Sequence, residues 1–166
     1  IRKYKAAGQA CSSINKLFVH KNINLKFEEI LKNKITKISC GSVNSSLEPH
    51  FGPLISDDHF NFSKKLELKS LKKGKLIARS NNIKDTKNLF PLTLVNTTIN
   101  DNIFDEYETF SPLLGVSYFT NHNQILNKIS KSEYSLVCYI FTKNLKLFKT
   151  AKNLNFGSIG LNTTKI

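Results

Sequence analysis

Leu136-Val137-Cys138-Tyr139-Ile140-Phe141-Thr142 is a near-continuous apolar run of strand length. Such a run suits a strand buried on both faces, as in a parallel sheet. Helical patterns flank it. Upstream, Asn121 is placed to cap a helix through Ile125, Leu126 and Ile129. Downstream, residues 144–154 set Leu145, Phe148, Ala151 and Leu154 on one helical face, and a short strand over 156–161 follows. Further out the alternation continues. Strands are expected over 16–20, 75–79, 92–95 and 113–119. Helices are expected over 27–38 and from Asp57 or Asp58, as the cap, to Lys73, where Gly74 stops the turn. Residues 41–53 and 80–88 read as polar loops, and an acidic loop separates the strands at 92–95 and 113–119. Strand, helix, strand, helix at this spacing predicts an α/β fold with a mostly parallel sheet flanked by helices.

The chain has 166 residues, 40% of them hydrophobic, which suffices for one domain with a core. No run of about eighteen apolar residues exists, so no transmembrane helix is expected. The N-terminal residues lack the apolar stretch of a signal peptide. The chain contains no methionine, and is therefore expected to be a fragment that has lost its start. Net charge is +13, from 25 basic and 12 acidic residues, but only Arg2 and Arg79 are arginines. Lysine and asparagine abundance fits an A/T-rich coding sequence. A nucleic-acid binder would favour arginine forks and aromatics interleaved with cations, and neither pattern is evident. The composition therefore argues against a nucleic-acid partner.

The cysteines, Cys11, Cys40 and Cys138, are odd in number and lack metal-type spacing, as do the scattered histidines. A reducing, cytoplasmic setting and no metal site are expected. Gly8-Gln9-Ala10-Cys11 precedes Ser12-Ser13-Ile14-Asn15, which reads as the first turns of a helix. A cysteine at a helix N-terminus beside Lys3 and Lys5 is set to be a nucleophilic thiolate. Position alone favours the plainer reading, a small buried residue. Cys138, inside its apolar run, is expected in the core, and Cys40 at a loop edge has no evident activator.

Ala7-Gly8-Gln9-Ala10-Cys11 resembles the N-x-G-Q-x-C segment of the aldehyde dehydrogenase superfamily. The resemblance runs in order along the chain. Phe51-Gly52-Pro53-Leu54-Ile55 is similar to the family's G-P-L-I loop, and Phe90-Pro91-Leu92-Thr93-Leu94 to its F-x-P-T strand. Glu108-Thr109-Phe110-Ser111-Pro112 resembles E-x-F-G-P. Glu133-Tyr134-Ser135-Leu136 opens a segment similar to E-Y-G-L-x-x-x-V-F-T, and Phe156-Gly157-Ser158-Ile159-Gly160-Leu161-Asn162-Thr163 resembles the family's F-G-x-V-x-I-N strand. The cysteine segment and the Asn162-Thr163 ending are most similar to the succinate-semialdehyde dehydrogenase branch.

The resemblance implies a mechanism. Cys11 matches the nucleophile, which adds to an aldehyde to give a thiohemiacetal; its backbone amide helps hold the oxyanion. A hydride passes to NAD or NADP, and water cleaves the resulting thioester to the acid. Glu108 matches the carboxylate that holds the nicotinamide ribose, and Phe110 the aromatic that packs on the nicotinamide. Without the motif, Glu108 reads as a solvated charge among Asp105 and Glu106. Lys5 stands where the succinate-semialdehyde branch has an arginine for the substrate carboxylate. It keeps the charge and loses the bidentate fork.

The resemblance also implies that residues 1–166 are a partial catalytic domain. The nucleotide-binding domain, the general-base glutamate and the oxyanion asparagine would fall upstream, and the C-terminal end beyond Ile166. The parent protein is expected to be a homo-oligomer acting on a small-molecule aldehyde, and the fragment by itself inactive. Some motif positions depart from the pattern. Ala6 and Ala7 stand where an asparagine precedes Gly8, and Ser111 and Ser135 replace glycines. Serine at such a turn is expected to shift the loop that presents Glu108. These departures motivate an alternative: a degenerate, non-catalytic remnant that serves as a basic interaction subunit of a larger assembly.

Overall fold

The computed structural model describes residues 3–42, 48–82, 87–132 and 136–165. It divides into two compact units, Ile1–Thr120 and Asn121–Ile166. Among the described residues, no helix is long and apolar enough to cross a membrane.

The first unit is built on a four-stranded sheet in the order β1-β6-β5-β3. Its strands are β1 (Lys16–His20), β3 (Lys75–Arg79), β5 (Thr93–Asn96) and β6 (Leu113–Phe119). β1 and β5 both pair parallel to β6, with Lys16 opposite Gly115 and Thr93 opposite Leu113; β3 adds antiparallel to β5. The strands buried on both faces are β5 and β6. Thr93, Leu94 and Val95 are buried in succession, as are the five residues from Leu113 to Ser117. β2 (Ser39–Cys40) and β4 (Asn81–Asn82) form a separate parallel pair.

The helix expected over 27–38 is α1 (Asn24–Ile35). α2 (Asp57–Lys73) has the predicted extent, but Ser56 is its N-cap, its hydroxyl accepting from the His59 amide. Asp57 and Asp58 occupy the first turn and Lys72 and Lys73 the last, matching the helix dipole at both ends. Glu67 is buried on the inner face of α2, held by Lys64 at 2.9 Å and by Arg79 of β3. The short helix α3 (Ile103–Glu106) is seated on β6 through Phe104. A Cβ at Gly115 would lie 2.5 Å from the Phe104 ring, so glycine there lets the ring lie flat on the strand. That contact brings the chain from α3 back toward β1.

The second unit contains α4 (His122–Ile129), β7 (Val137–Ile140), α5 (Leu145–Ala151) and β8 (Ser158–Leu161). β7 and β8 pair in parallel, the outcome of a strand-helix-strand crossover. Asn121 and Asn144 cap the two helices. The Asn162 side chain closes the end of the pair, accepting from the Thr142 amide at 2.9 Å and donating to its carbonyl at 3.0 Å. The apolar run at 136–142 is thus a strand, and within these 166 residues it is partly covered. All four residues of β7 are half-buried, and Leu136 and Phe141 are exposed. Cys138 is half-buried accordingly. Glu133, Tyr134 and Ser135, which carry part of one motif, lie outside the described residues.

Candidate active site

Cys11 sits on a loop, not at a helix N-terminus. A 3-10 turn, Lys5–Gly8, precedes it, and a single turn closed by Ser13 N donating to Ala10 O at 2.9 Å follows. The chain then extends into β1. Ser-Ser-Ile-Asn is a poor helix former, and pairing of β1 with β6 draws the segment out straight. The helix-dipole argument for an activated thiol therefore falls away. What the loop does provide is access, since Cys11 is exposed. Cys40 is fully buried, and burial pushes its thiol up to about 11. Burial pushes the Cys138 thiol to about 11 as well.

The Cys11 loop is tied down on two sides. On one, the Gln9 side chain reaches the 51–55 loop. Its Oε1 accepts from Ile55 N at 2.9 Å, and its Nε2 donates to Pro53 O at 3.5 Å and to Ala6 O at 3.2 Å. On the other, the loop lies against the segment between α3 and β6 that carries Glu108 and Phe110. Gly8, at φ +74°, packs on the Ser111 carbonyl. Lys3 Nζ donates to Thr109 Oγ1 at 3.0 Å. Asn15 Nδ2 donates to Phe104 O at 2.7 Å and Tyr107 O at 2.9 Å, while Thr109 N donates to Asn15 Oδ1 at 3.1 Å.

Within that segment Glu108 is exposed, Thr109 is buried and Phe110 is half-buried. Glu108 makes no side-chain hydrogen bond among the described residues. Its charge faces the Lys3 amine, which burial pushes down to about 7 against the opposing pull of Glu108. Phe110 is the left-handed residue of the turn, at φ 42°, and Ser111 is not. His59 Nε2, on the first turn of α2, donates to the Phe110 carbonyl at 2.7 Å and holds the turn in that conformation. Ser111 lies outside the left-handed region, so serine there costs no backbone strain. Its hydroxyl is buried, however, with no partner among the described residues. Ala6 and Ala7 carry the strain instead, at φ 52° and 54°.

The structure thus brings the segments of Cys11, Glu108 and Phe110 into one hydrogen-bonded assembly. Lys5 is exposed at the start of the 3-10 turn, whereas Lys3, which the sequence marks only as a charge near Cys11, is the buried lysine of the site. Asn15 and His59 were not legible either. Both act on backbone groups distant in sequence, and no local pattern marks them.

Known proteins resemble this chain along nearly its whole length. The chain is 31% identical over 163 residues to succinate-semialdehyde dehydrogenase (NADP(+)) 2 of Schizosaccharomyces pombe, covering 96% of this chain and 33% of that protein. It is 32% identical over 162 residues to a lactaldehyde dehydrogenase of Methanocaldococcus jannaschii, covering 96% and 34%. Among solved structures, an oxidoreductase from Marinobacter aquaeolei superposes with a TM-score of 0.88 at 26% identity, covering 99% of this chain and 35% of that one. The chain spans about a third of the length of the relatives it matches. The sequence model of the aldehyde dehydrogenase family matches residues 2–166, almost the whole chain. With the cysteine and glutamate segments joined on a parallel sheet and that match running end to end, the chain belongs to the aldehyde dehydrogenase family.

Proposed function

We propose that this chain is the catalytic-domain portion of a longer enzyme that oxidises a small aldehyde to its carboxylic acid with NAD or NADP. Cys11 is the nucleophile. Its Sγ adds to the aldehyde carbon, and Cys11 carries that carbon first as a thiohemiacetal and then as a thioester, until water releases the acid and returns the thiol. The nicotinamide dinucleotide, when bound, supplies the hydride acceptor. The donor set fits that group. Glu108 presents an exposed carboxylate with no side-chain hydrogen bond among the described residues, and its two acceptor oxygens suit the vicinal hydroxyls of a ribose. Phe110, beside it, offers an aromatic face.

The observation that carries this reading is the join between segments. The exposed thiol of the three cysteines lies on the loop that is hydrogen-bonded to the Glu108–Phe110 segment. Lys5, exposed on the same loop, is the residue for a substrate carboxylate, with succinate semialdehyde the aldehyde that this charge suits. The test is Cys11→Ser in the full-length protein. Aldehyde-dependent formation of reduced dinucleotide falls roughly a thousandfold or more, while dinucleotide binding is kept. Turnover that survives the substitution would refute the assignment.

A second reading has one observation in its favour. The strained Ala6 and Ala7 and the orphaned Ser111 hydroxyl lie in the site itself, as in a remnant kept for its basic surface. It predicts no turnover by the unaltered full-length protein and retention on heparin that persists to high salt.

A further inference from the structure

Glu108 has an exposed carboxylate and no side-chain hydrogen bond among the described residues, so what the fold fixes is the place of its Cα and the direction of its Cα–Cβ bond. That backbone is gripped by one side chain. The Asn15 carboxamide donates to the carbonyl of Tyr107 at 2.9 Å and accepts from the amide of Thr109 at 3.1 Å. The Tyr107 carbonyl belongs to the peptide group before Glu108, and the Thr109 amide to the one after it. Each peptide group is planar, so holding both leaves the Glu108 Cα little freedom. Asn15 is itself fixed. Its second Nδ2 contact is to Phe104 O at 2.7 Å, and its own carbonyl accepts from Gly115 N at 3.4 Å on β6. It lies four residues past Cys11 on a continuous loop.

From this geometry we infer that Asn15 is a positioning residue for Glu108. Its amide fork fixes the backbone position from which the Glu108 carboxylate reaches the nicotinamide ribose, and so contributes to affinity for that ribose. The inference rests on the role given to Glu108 above. The residue type is demanding. Aspartate keeps the acceptor for Thr109 and loses the donors, glutamine is a methylene too long, and leucine loses both functions at similar volume.

The experiment is equilibrium binding of NADPH to the full-length protein, followed by NADPH fluorescence. Four variants are compared with wild type: Glu108→Gln, Asn15→Leu, Asn15→Asp and the double Asn15→Leu/Glu108→Gln. Glu108→Gln is expected to weaken binding by ~10-fold, and each Asn15 variant by a similar factor. The double variant is expected to bind no more weakly than Glu108→Gln alone, because Asn15 acts through the carboxylate already removed. ADP, which lacks the nicotinamide ribose, is expected to bind all variants alike. Asn15→Asp is close to isosteric and keeps the test available where Asn15→Leu does not fold. Wild-type affinity in both Asn15 variants beside a weakened Glu108→Gln would overturn the inference and leave the Glu108 assignment standing. So would losses that multiply in the double variant. Wild-type affinity in Glu108→Gln would overturn the Glu108 assignment, and this inference with it.

Discussion

Gly8 packs directly on the carbonyl of Ser111, and a Cβ at Gly8 would sit 2.5 Å from that oxygen. The contact joins the Cys11 loop to the Glu108–Phe110 segment with no side chain between them. At φ +74°, Gly8 also occupies the left-handed region. Gly8→Ala is therefore expected to destabilise the full-length protein by about 2–4 kcal/mol, from backbone strain and from pushing the two segments apart. Ala6→Gly, at φ 52° in the same turn, should be neutral or stabilising, because there the strain is relieved. Urea denaturation of the two variants checks the contrast. Equal losses would place Ala6 outside the left-handed region.

Ser111 tests the other side of that contact. Its hydroxyl is buried and without a partner among the described residues. Ser111→Ala removes the unsatisfied group and keeps the backbone, so it is expected to stabilise by about 1 kcal/mol. A loss of stability on the same scale, in the same denaturation measurement, would show that the hydroxyl is bonded after all.

Lys3 gives the site a pH dependence. The unfolded amine titrates near 10.5 and the folded one at about 7, the shift caused by burial and partly offset by Glu108. Between those values the unfolded state binds more protons than the folded one. Stability contributed at Lys3 therefore rises as pH climbs from about 7 toward 10.5, and is flat below that window, where the charged amine stays buried at full cost. The gain is on the order of a few kcal/mol. Denaturation midpoints across the window should climb in wild type and climb less in Lys3→Met. Parallel curves would place the Lys3 amine in water.

Strands with sharp ends were the most legible elements. Gly74 and the polar stretch after Arg79 bound β3, and β6 and α4 likewise have the extents read from their patterns. α1 begins at Asn24, ahead of its first periodic residue; that turn leaves no periodic signal because Asn24-Leu25-Lys26 adds nothing to an apolar face, Leu25 being 79% exposed. β2 and β4 escaped notice since each is two residues long and exists only through pairing with the other. Burial was less legible than strand type. The longest apolar run became the half-buried β7, while the buried stretch of β6, Leu113 to Ser117, contains a glycine and a serine. At the site, Cys11, Glu108 and Phe110 could be picked out by motif, and the segments carrying them do meet. The helix expected after Cys11 failed because Asn15 spends its side chain on a segment about ninety residues away. Contacts of that kind leave no periodicity.

The central claim is that Cys11 carries the substrate carbon. Its most direct test is to mix the full-length protein with an aldehyde and NAD or NADP, quench in acid within the first turnovers, and map acyl groups by peptide mass spectrometry. The account predicts an acyl thioester on the peptide containing Cys11 and none on those containing Cys40 or Cys138. An acyl group on either of those peptides, or acid formation with no acylated cysteine, would contradict it.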